Sequence, residues 1–270
     1  MDALRTVLAP NPSPMTLDGT RTFIVGCERP AVIDPGPTDG GHLDAILAAL
    51  EGRTPIAILL THAHGDHAEL AEPLAVRTGA PVMIARGAAR PEDDERVVWR
   101  WLEDGDAIHT DCGSLQAVAT PGHSPDHVSF HWHDRGAVFV GDLFMGEGDT
   151  TLVAPPEGDL AAYLRSLDRI ASLSPVVLYP AHGPALADPA EAVARYRRHR
   201  ETRIEQVVRA LRRAGPSRPG ELLDAVYGAD LHPSLRMAAE GSLHAILGYL
   251  SAEGLAEALP DGRHSLAGDR

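Results

Sequence analysis

Thr61-His62-Ala63-His64-Gly65-Asp66-His67 decides how this chain is read. The apolar run Ile56-Ala57-Ile58-Leu59-Leu60 stands directly before it, long enough for a buried strand, and ends where the polar residues begin. Three imidazoles and a carboxylate crowded at the mouth of a strand would repel one another on protonation and lose hydration without compensation. A bound cation removes both costs. The stretch therefore predicts a metal site, provided that further ligands lie downstream; without them it is a polar loop rich in histidine.

Further ligands do follow, each at the end of an apolar run. Ser114-Leu115-Gln116-Ala117-Val118-Ala119 leads into Thr120-Pro121-Gly122-His123, and Ala137-Val138-Phe139-Val140 leads into Gly141-Asp142. Val176-Val177-Leu178-Tyr179 leads into Pro180-Ala181-His182-Gly183. Chance would scatter such residues; here four strand ends carry them. His62, His64, His67, His123 and His182, with Asp66 and Asp142, are the candidate ligands. Three neutral imidazoles can hold one divalent ion with a position left for water. A carboxylate and two further imidazoles can hold a second ion, and another carboxylate can bridge the two. A pair of such ions would share a hydroxide, polarise a scissile group and stabilise the developing oxyanion.

The composition bounds the rest. A chain of 270 residues can bury a sizeable core as one large domain with an appendage, and 44% hydrophobic residues suit a globular protein. The formal charge is -14, and all 24 basic residues are Arg, which disfavours a phosphate-tracking surface over the whole molecule but permits a local patch. Two cysteines, Cys27 and Cys112, are too few for a disulfide framework; they read as small buried hydrophobes. The beginning Met1-Asp2-Ala3-Leu4-Arg5 leads into Pro10, Pro12 and Pro14 with no apolar stretch, and no run reaches membrane-spanning length. The expectation is a cytoplasmic protein without a membrane partner.

Around the ligand runs, Thr22–Gly26 and Ala31–Asp34 read as strands, His42–Leu50 and Ala68–Arg77 as helices, Pro81–Ala85 as a strand, and Arg90–Arg96 as exposed and charged. Val128–Trp132 reads as a strand and Leu160–Ser172 as a helix. From about Pro189 the composition changes. A long helix, Ala190–Ala214, carries Arg195, Arg197, Arg198, Arg200, Arg203, Arg209, Arg212 and Arg213, and Gly215-Pro216-Ser217-Arg218-Pro219-Gly220 breaks it. Helical patterns at Glu221–Tyr227 and Pro233–Glu253, then an Asp261-Gly262 turn between short strands, outline a winged helix.

The motifs T-H-A-H-G-D-H, T-P-G-H, G-D and P-A-H-G, in this order, resemble those of the metallo-beta-lactamase superfamily. Asn11-Pro12-Ser13-Pro14, Gly19-Thr20-Arg21-Thr22, Gly146-Glu147-Gly148 and the winged-helix pattern look like its beta-lactamase-like subfamily with a C-terminal winged helix. The resemblance implies an α+β chain, with an αββα sandwich over residues 1–190 and a winged-helix-like domain over 191–270 that includes the Arg-rich helix. It implies that His62, His64 and His123 bind a first metal, that Asp66, His67 and His182 bind a second, and that Asp142 bridges. The implied cofactor is a pair of divalent ions, zinc first, with iron or manganese also suited to a His/Asp set.

The implied activity is hydrolysis of a small-molecule ester or thioester by a metal-bridging hydroxide fixed by Asp66 and Asp142. Class B beta-lactamases lack this bridging Asp, and the diiron oxygen reductases carry Glu where His64 stands, so neither branch is expected. Glyoxalase II enzymes share the ligands but hold glutathione partly through Lys, which this chain lacks. The alternatives are a single-strand endoribonuclease steered by the Arg-rich helix, whose partner would be RNA, and a non-catalytic metal-binding module. The winged helix equally suits a homodimer contact or a pocket lid.

Four further residues are candidates for contact with ligands or substrate. Asp34 ends a strand and either orients a ligand imidazole or caps a turn. Asp126 and His127, close after His123, could touch substrate or donate protons. Tyr163 opens the helix after the glycine-rich loop and faces either the site or the core. His131 and His133 are expected to be exposed.

Overall fold

The computed structural model describes residues 3–88 and 95–268, so most of Arg90–Arg96 lies outside the described residues. The elements of the first half are β1 (Leu4–Leu8), β2 (Arg21–Val25), β3 (Ala31–Ile33), α1 (Gly40–Leu50), β4 (Ala57–Leu59), α2 (Gly65–Ala68), α3 (Ala71–Thr78), β5 (Val82–Ala85) and β6 (Trp99–Leu102). A second group follows: β7 (Ala107–Thr110), β8 (Gly113–Ala119), β9 (Val128–Trp132), β10 (Ala137–Gly141), α4 (Leu160–Ser172) and β11 (Val177–Pro180). The C-terminal part holds α5 (Pro189–Ala214), α6 (Pro219–Tyr227), α7 (Arg236–Ala252), β12 (Ala256–Ala258) and β13 (His264–Leu266).

One sheet runs β1-β2-β3-β4-β5-β6 and the other β11-β10-β9-β8-β7. Because side chains alternate along a strand, each apolar run feeds two cores. Ile33 and Leu59 point between the sheets, where they meet Phe130, Phe139 and Trp132. Val32 and Ile58 point the other way, beneath Ile46 and Leu50 of α1 and Leu74 of α3. Val138 and Val140 of β10 likewise face Tyr163, Leu167 and Ile170 of α4. The result is the expected four-layer αββα sandwich. Asp159 starts α4 by accepting from Ala162 N, and Asp188 starts α5 by accepting from Glu191 N, with Pro189 in the first turn.

The apolar cluster under α4 continues through Tyr196 and Val207 of α5 to Leu222 and Leu223 of α6 and Leu243 and Leu247 of α7. The expected boundary at 190–191 falls at the start of α5, a helix that belongs to this shared cluster. The β12–β13 hairpin closes the winged helix.

Several local expectations differ from the structure. The helix expected at Ala68–Arg77 begins only at Ala71, as α3, after the separate short α2; Gly36 holds the break between them, its N–H donating to His67 O and its carbonyl accepting from Leu70 N. Strands β1, β6 and β7 lie at sheet edges, half exposed, and lack the apolar runs that marked the central strands. His131 is buried rather than exposed, since it pairs in register with Val138 on the face that α4 covers. Cys27 and Cys112 are half-buried and not separate hydrophobes: their sulfurs lie 3.1 Å apart, between the end of β2 and the start of β8.

Candidate metal centre

Strands β3 and β4 are parallel, as are β10 and β11, and β8 runs with β10 through their common antiparallel neighbour β9. The C-terminal ends of all five strands therefore open at one end of the sandwich. Asp34, the His62–His67 stretch, His123, Asp142 and His182 arrive there together. Close packing at this end demands glycine. A Cβ on Gly141 would stand 2.6 Å from His127 Nε2, and one on Gly122 would stand 2.4 Å from the Tyr163 backbone; both glycines have positive φ.

The sequence candidates gather as two adjoining sets. His62 Nε2 and His123 Nε2 lie 2.9 and 3.0 Å from His64 Nδ1. Asp66 Oδ2 is 3.5 Å from His67 Nε2 and 3.3 Å from His182 Nε2. Asp142 reaches both sets: its Oδ1 lies 3.4 Å from His67 Nε2 and 3.2 Å from His182 Nε2, while its Oδ2 lies 3.6 Å from His123 Nε2. Metal–nitrogen bonds of about 2.0–2.1 Å in tetrahedral array place neighbouring donor atoms roughly 3.4 Å apart, close to these separations.

The outer nitrogens settle which atoms face inward. Thr61 Oγ1 donates to Asp34 Oδ2, so His62 Nδ1–H donates to Thr61 Oγ1 at 3.0 Å. His67 Nδ1–H donates to the same Asp34 oxygen at 3.0 Å. His123 Nδ1–H donates to Leu152 O at 2.8 Å, His182 Nδ1–H to Gly19 O at 3.3 Å, and His64 Nε2–H to Glu157 Oε2 at 2.7 Å. Each imidazole thus turns a lone pair toward its set. Lone pairs at such spacing are repulsive unless a cation or proton lies between them. His67 Nε2, His182 Nε2 and Asp142 Oδ1 are buried and lack hydrogen-bond partners, as expected of atoms reserved for an ion. The donor set fits two divalent metals.

Electrostatics separate the sets. Burial, reinforced by neighbouring His67 and His123, holds His62 well below the usual imidazole range, and burial lowers His123 too. Burial also opposes charge on His67 and His182, but carboxylates outweigh it: Asp142 and Asp34 keep His67 well above the usual range, and Asp142 and Asp66 push His182 up to about 9. Without metal, protons take the cation's place in the second set. Burial would raise Asp142, yet His67 and His182 keep it well below the ordinary carboxylate range.

Asp34 does more than cap a turn: it accepts from His67 Nδ1 directly and reaches His62 through Thr61 Oγ1. Asp126 Oδ2 accepts from Ala63 N at 2.9 Å and so pins the backbone between His62 and His64. His127 corrects the expectation of a proton donor: it is buried, its Nε2 accepts from Asp142 N at 3.1 Å, and burial lowers its pKa to about 3. Tyr163 corrects the substrate-facing alternative; it is fully buried, and its hydroxyl donates to Leu143 O.

Two contributors escaped the sequence reading. Glu157 lies in a loop far from any strand end, and no local pattern marks it. Asn11 bonds through its side chain to both the backbone N and Oγ1 of Thr20, closing the turn that presents Gly19 O to His182.

A two-sheet sandwich with His/Asp donor sets at the strand ends, followed by a winged helix, defines a class of metallohydrolases. Residues 16–182 match the Metallo-beta-lactamase superfamily and residues 219–263 the Beta-lactamase associated winged helix domain. The chain belongs to the metallo-beta-lactamase superfamily, which typically binds divalent metals, and it is a hydrolase. It is 29% identical to the Beta-lactamase-like protein 2 homolog of Caenorhabditis elegans, over 95% of this chain and 86% of that one. It is 31% identical to an Atrochrysone carboxyl ACP thioesterase of Aspergillus chevalieri, over 82% of this chain and 72% of the relative. A metallo-beta-lactamase family protein of Thermus thermophilus superposes with a TM-score of 0.80 over 98% of both chains, at 25% identity.

Proposed function

We propose that this protein is a binuclear metal-dependent hydrolase of a small-molecule thioester or ester. The observation that carries the reading is the division of Asp142, with Oδ1 among His67 and His182 and Oδ2 toward His123. His62, His64 and His123 would hold one ion, and Asp66, His67 and His182 the other, with Asp142 common to both. Bound divalent ions, zinc being the first choice for these donors and iron or manganese the alternatives, supply Lewis acidity and a water acidic enough to attack at neutral pH. Asp34 keeps two imidazoles in the inward-facing tautomer. The His64 and Asp66 side chains, 36% and 32% exposed, lie where substrate would enter.

A thioester is favoured because a relative of this coverage is named a thioesterase. RNA is disfavoured by the arginines of α5, several of which are engaged within the chain. Arg197 pairs with Asp168 and Arg198 with Glu191, while Arg200 donates to Thr151 O and Arg203 to Val226 O. No helix among the described residues is long and apolar enough to cross a membrane.

The test is release of thiol from a panel of acyl thioesters by the zinc-loaded protein, with single-stranded RNA as the competing substrate. Turnover of a thioester, abolished in His62→Ala, is expected. Full turnover by that variant, or RNA cleavage without thioester cleavage, overturns the reading.

A further inference from the structure

The segment Thr151–Glu157 lies between the His62–His64–His123 triad and the C-terminal helices, and it touches both. Toward the triad, Leu152 O accepts from His123 Nδ1 and Glu157 Oε2 accepts from His64 Nε2. Two of the three imidazoles are therefore aimed from this segment. Away from the triad, Thr151 O accepts from Arg200 of α5, a side chain 4% exposed whose guanidinium lies 4.8 Å over the Tyr163 ring. Ala154 meets α7 directly: a Cβ on Gly241 would stand 2.8 Å from the Ala154 Cβ. Val153 is buried in the same apolar cluster as Leu243 and Leu247.

The segment is tied down at its end: Gly158 N donates to Ala154 O, and Asp159 N donates to Gly122 O, next to His123. These bonds give a shift at α7 a connected route to Leu152 O and Glu157. The second set takes its outward partners elsewhere, His67 from Asp34 and His182 from Gly19 O.

We propose that Gly241, Arg200 and Glu157 are positioning residues, through which the winged-helix part sets the affinity of the His62–His64–His123 triad for its ion. This rests on the two-metal reading above. The winged helix then acts as the back wall of one half of the metal centre. Gly241 is glycine because α7 must lie against Ala154 at a distance that leaves no room for a side chain. Glu157 holds the His64 imidazole so that Nδ1 faces inward.

The experiment is a competitive zinc titration of the full chain against a chromophoric chelator, which reads each ion's affinity without reference to turnover. His64→Ala and Asp66→Ala identify the step that belongs to each set. Gly241→Ala favours the helix it stands in, so α7 is retained while its new Cβ displaces Ala154. The triad's step is expected to weaken about 10-fold in Gly241→Ala and in Glu157→Ala, within the usual range for the loss of a ligand's orienting partner. The other step should stay within about two-fold, and adding Ala154→Gly to Gly241→Ala should restore the triad. Equal weakening of both steps, no change in either variant, or failure of the rescue overturns the coupling. A wild-type chain that takes up fewer than two ions overturns the two-metal reading, and the coupling with it, before any of these variants is compared.

Discussion

The two halves of the metal centre share Asp142 and lie side by side, yet they are constructed differently. The half around His67 and His182 carries the carboxylates: both imidazoles are fully buried, and Asp34, Asp66 and Asp142 offset their charge, with Asp66 32% exposed at the mouth. The half around His62 and His64 is made of imidazoles, has a partly exposed member, and draws two of its three orienting contacts from the segment before α4. The His67–His182 half takes its orienting bonds from Asp34 at a strand end and from Gly19 O in a turn between β1 and β2, whereas the triad leans on a loop backed by the C-terminal helices. The half that carries the carboxylates is expected to bind a divalent ion more tightly.

The severest test removes what the halves share. Asp142→Ala should lower turnover by roughly 10³-fold or more, because it removes the carboxylate that reaches both donor sets. A zinc titration of the variant should show both steps weakened. Loss confined to one step would mean that Asp142 belongs to one half.

Next in size is Asp34→Asn. Asp34 lies behind both halves, touching His67 directly and His62 through Thr61 Oγ1. Loss of such an orienting carboxylate typically costs 10–100-fold in metal affinity. Both zinc affinities should fall, that of the His67 half more, since its bond is direct. An unchanged His62 half would show that the threonine relay carries no orientation.

This difference in construction also explains what could be read from the chain. Every ligand candidate follows an apolar run or lies within a compact motif, and strand periodicity locates strand ends well. Asp34 was accessible for the same reason, as the last residue of a β run. Glu157 was not, because its partner His64 is 93 residues away and the loop between β10 and α4 has no period. His127 shows the converse failure. Its position after T-P-G-H suggested a donor near substrate, but burial decides its role, and burial came from the packing of Gly141 and Thr61 around it. The break between α2 and α3 depends on Gly36, in the loop that follows β3. Edge strands β1, β6 and β7 were missed because half-exposed short strands carry no continuous apolar run.

Removing the metals should make the halves respond oppositely to pH. In the metal-free chain His182 titrates at about 9, above its unfolded value near 6.5. A raised pKa contributes stability in full below pH 6.5, and that contribution is lost as pH rises through 9. His62 and His123, lowered by burial, resist charging and destabilise the fold as pH falls below 6.5. Metal-bound imidazoles must be neutral, so metal binding strengthens with pH. Thermal melts with and without chelator should therefore diverge between pH 6.5 and 9, the metal-induced rise in Tm growing with pH. A constant difference would mean that protons do not take the place of an ion in the His67–His182 half.

The smallest effect concerns α5, whose two faces should differ if contact with the Thr151 segment is what matters. Arg200 points inward to Thr151 O, whereas Arg197 and Arg198 form surface pairs with Asp168 and Glu191. In the Arg198–Glu191 pair both side chains are more than half exposed, at 60% and 54%. Exposed pairs of this kind contribute about 0–1 kcal/mol, since solvent screens them and ordering two long side chains offsets the attraction. Arg197→Ala and Arg198→Ala together should leave thioester turnover within about two-fold and lower Tm by a few degrees at most. The same double variant bears on nucleic acid. If α5 tracked phosphates, removing two cations would weaken single-stranded RNA binding and flatten its salt dependence by about two ions. Unchanged turnover with unchanged, weak RNA retention is the expected result, and it would leave the inward face of α5 as the one that matters to the metal centre.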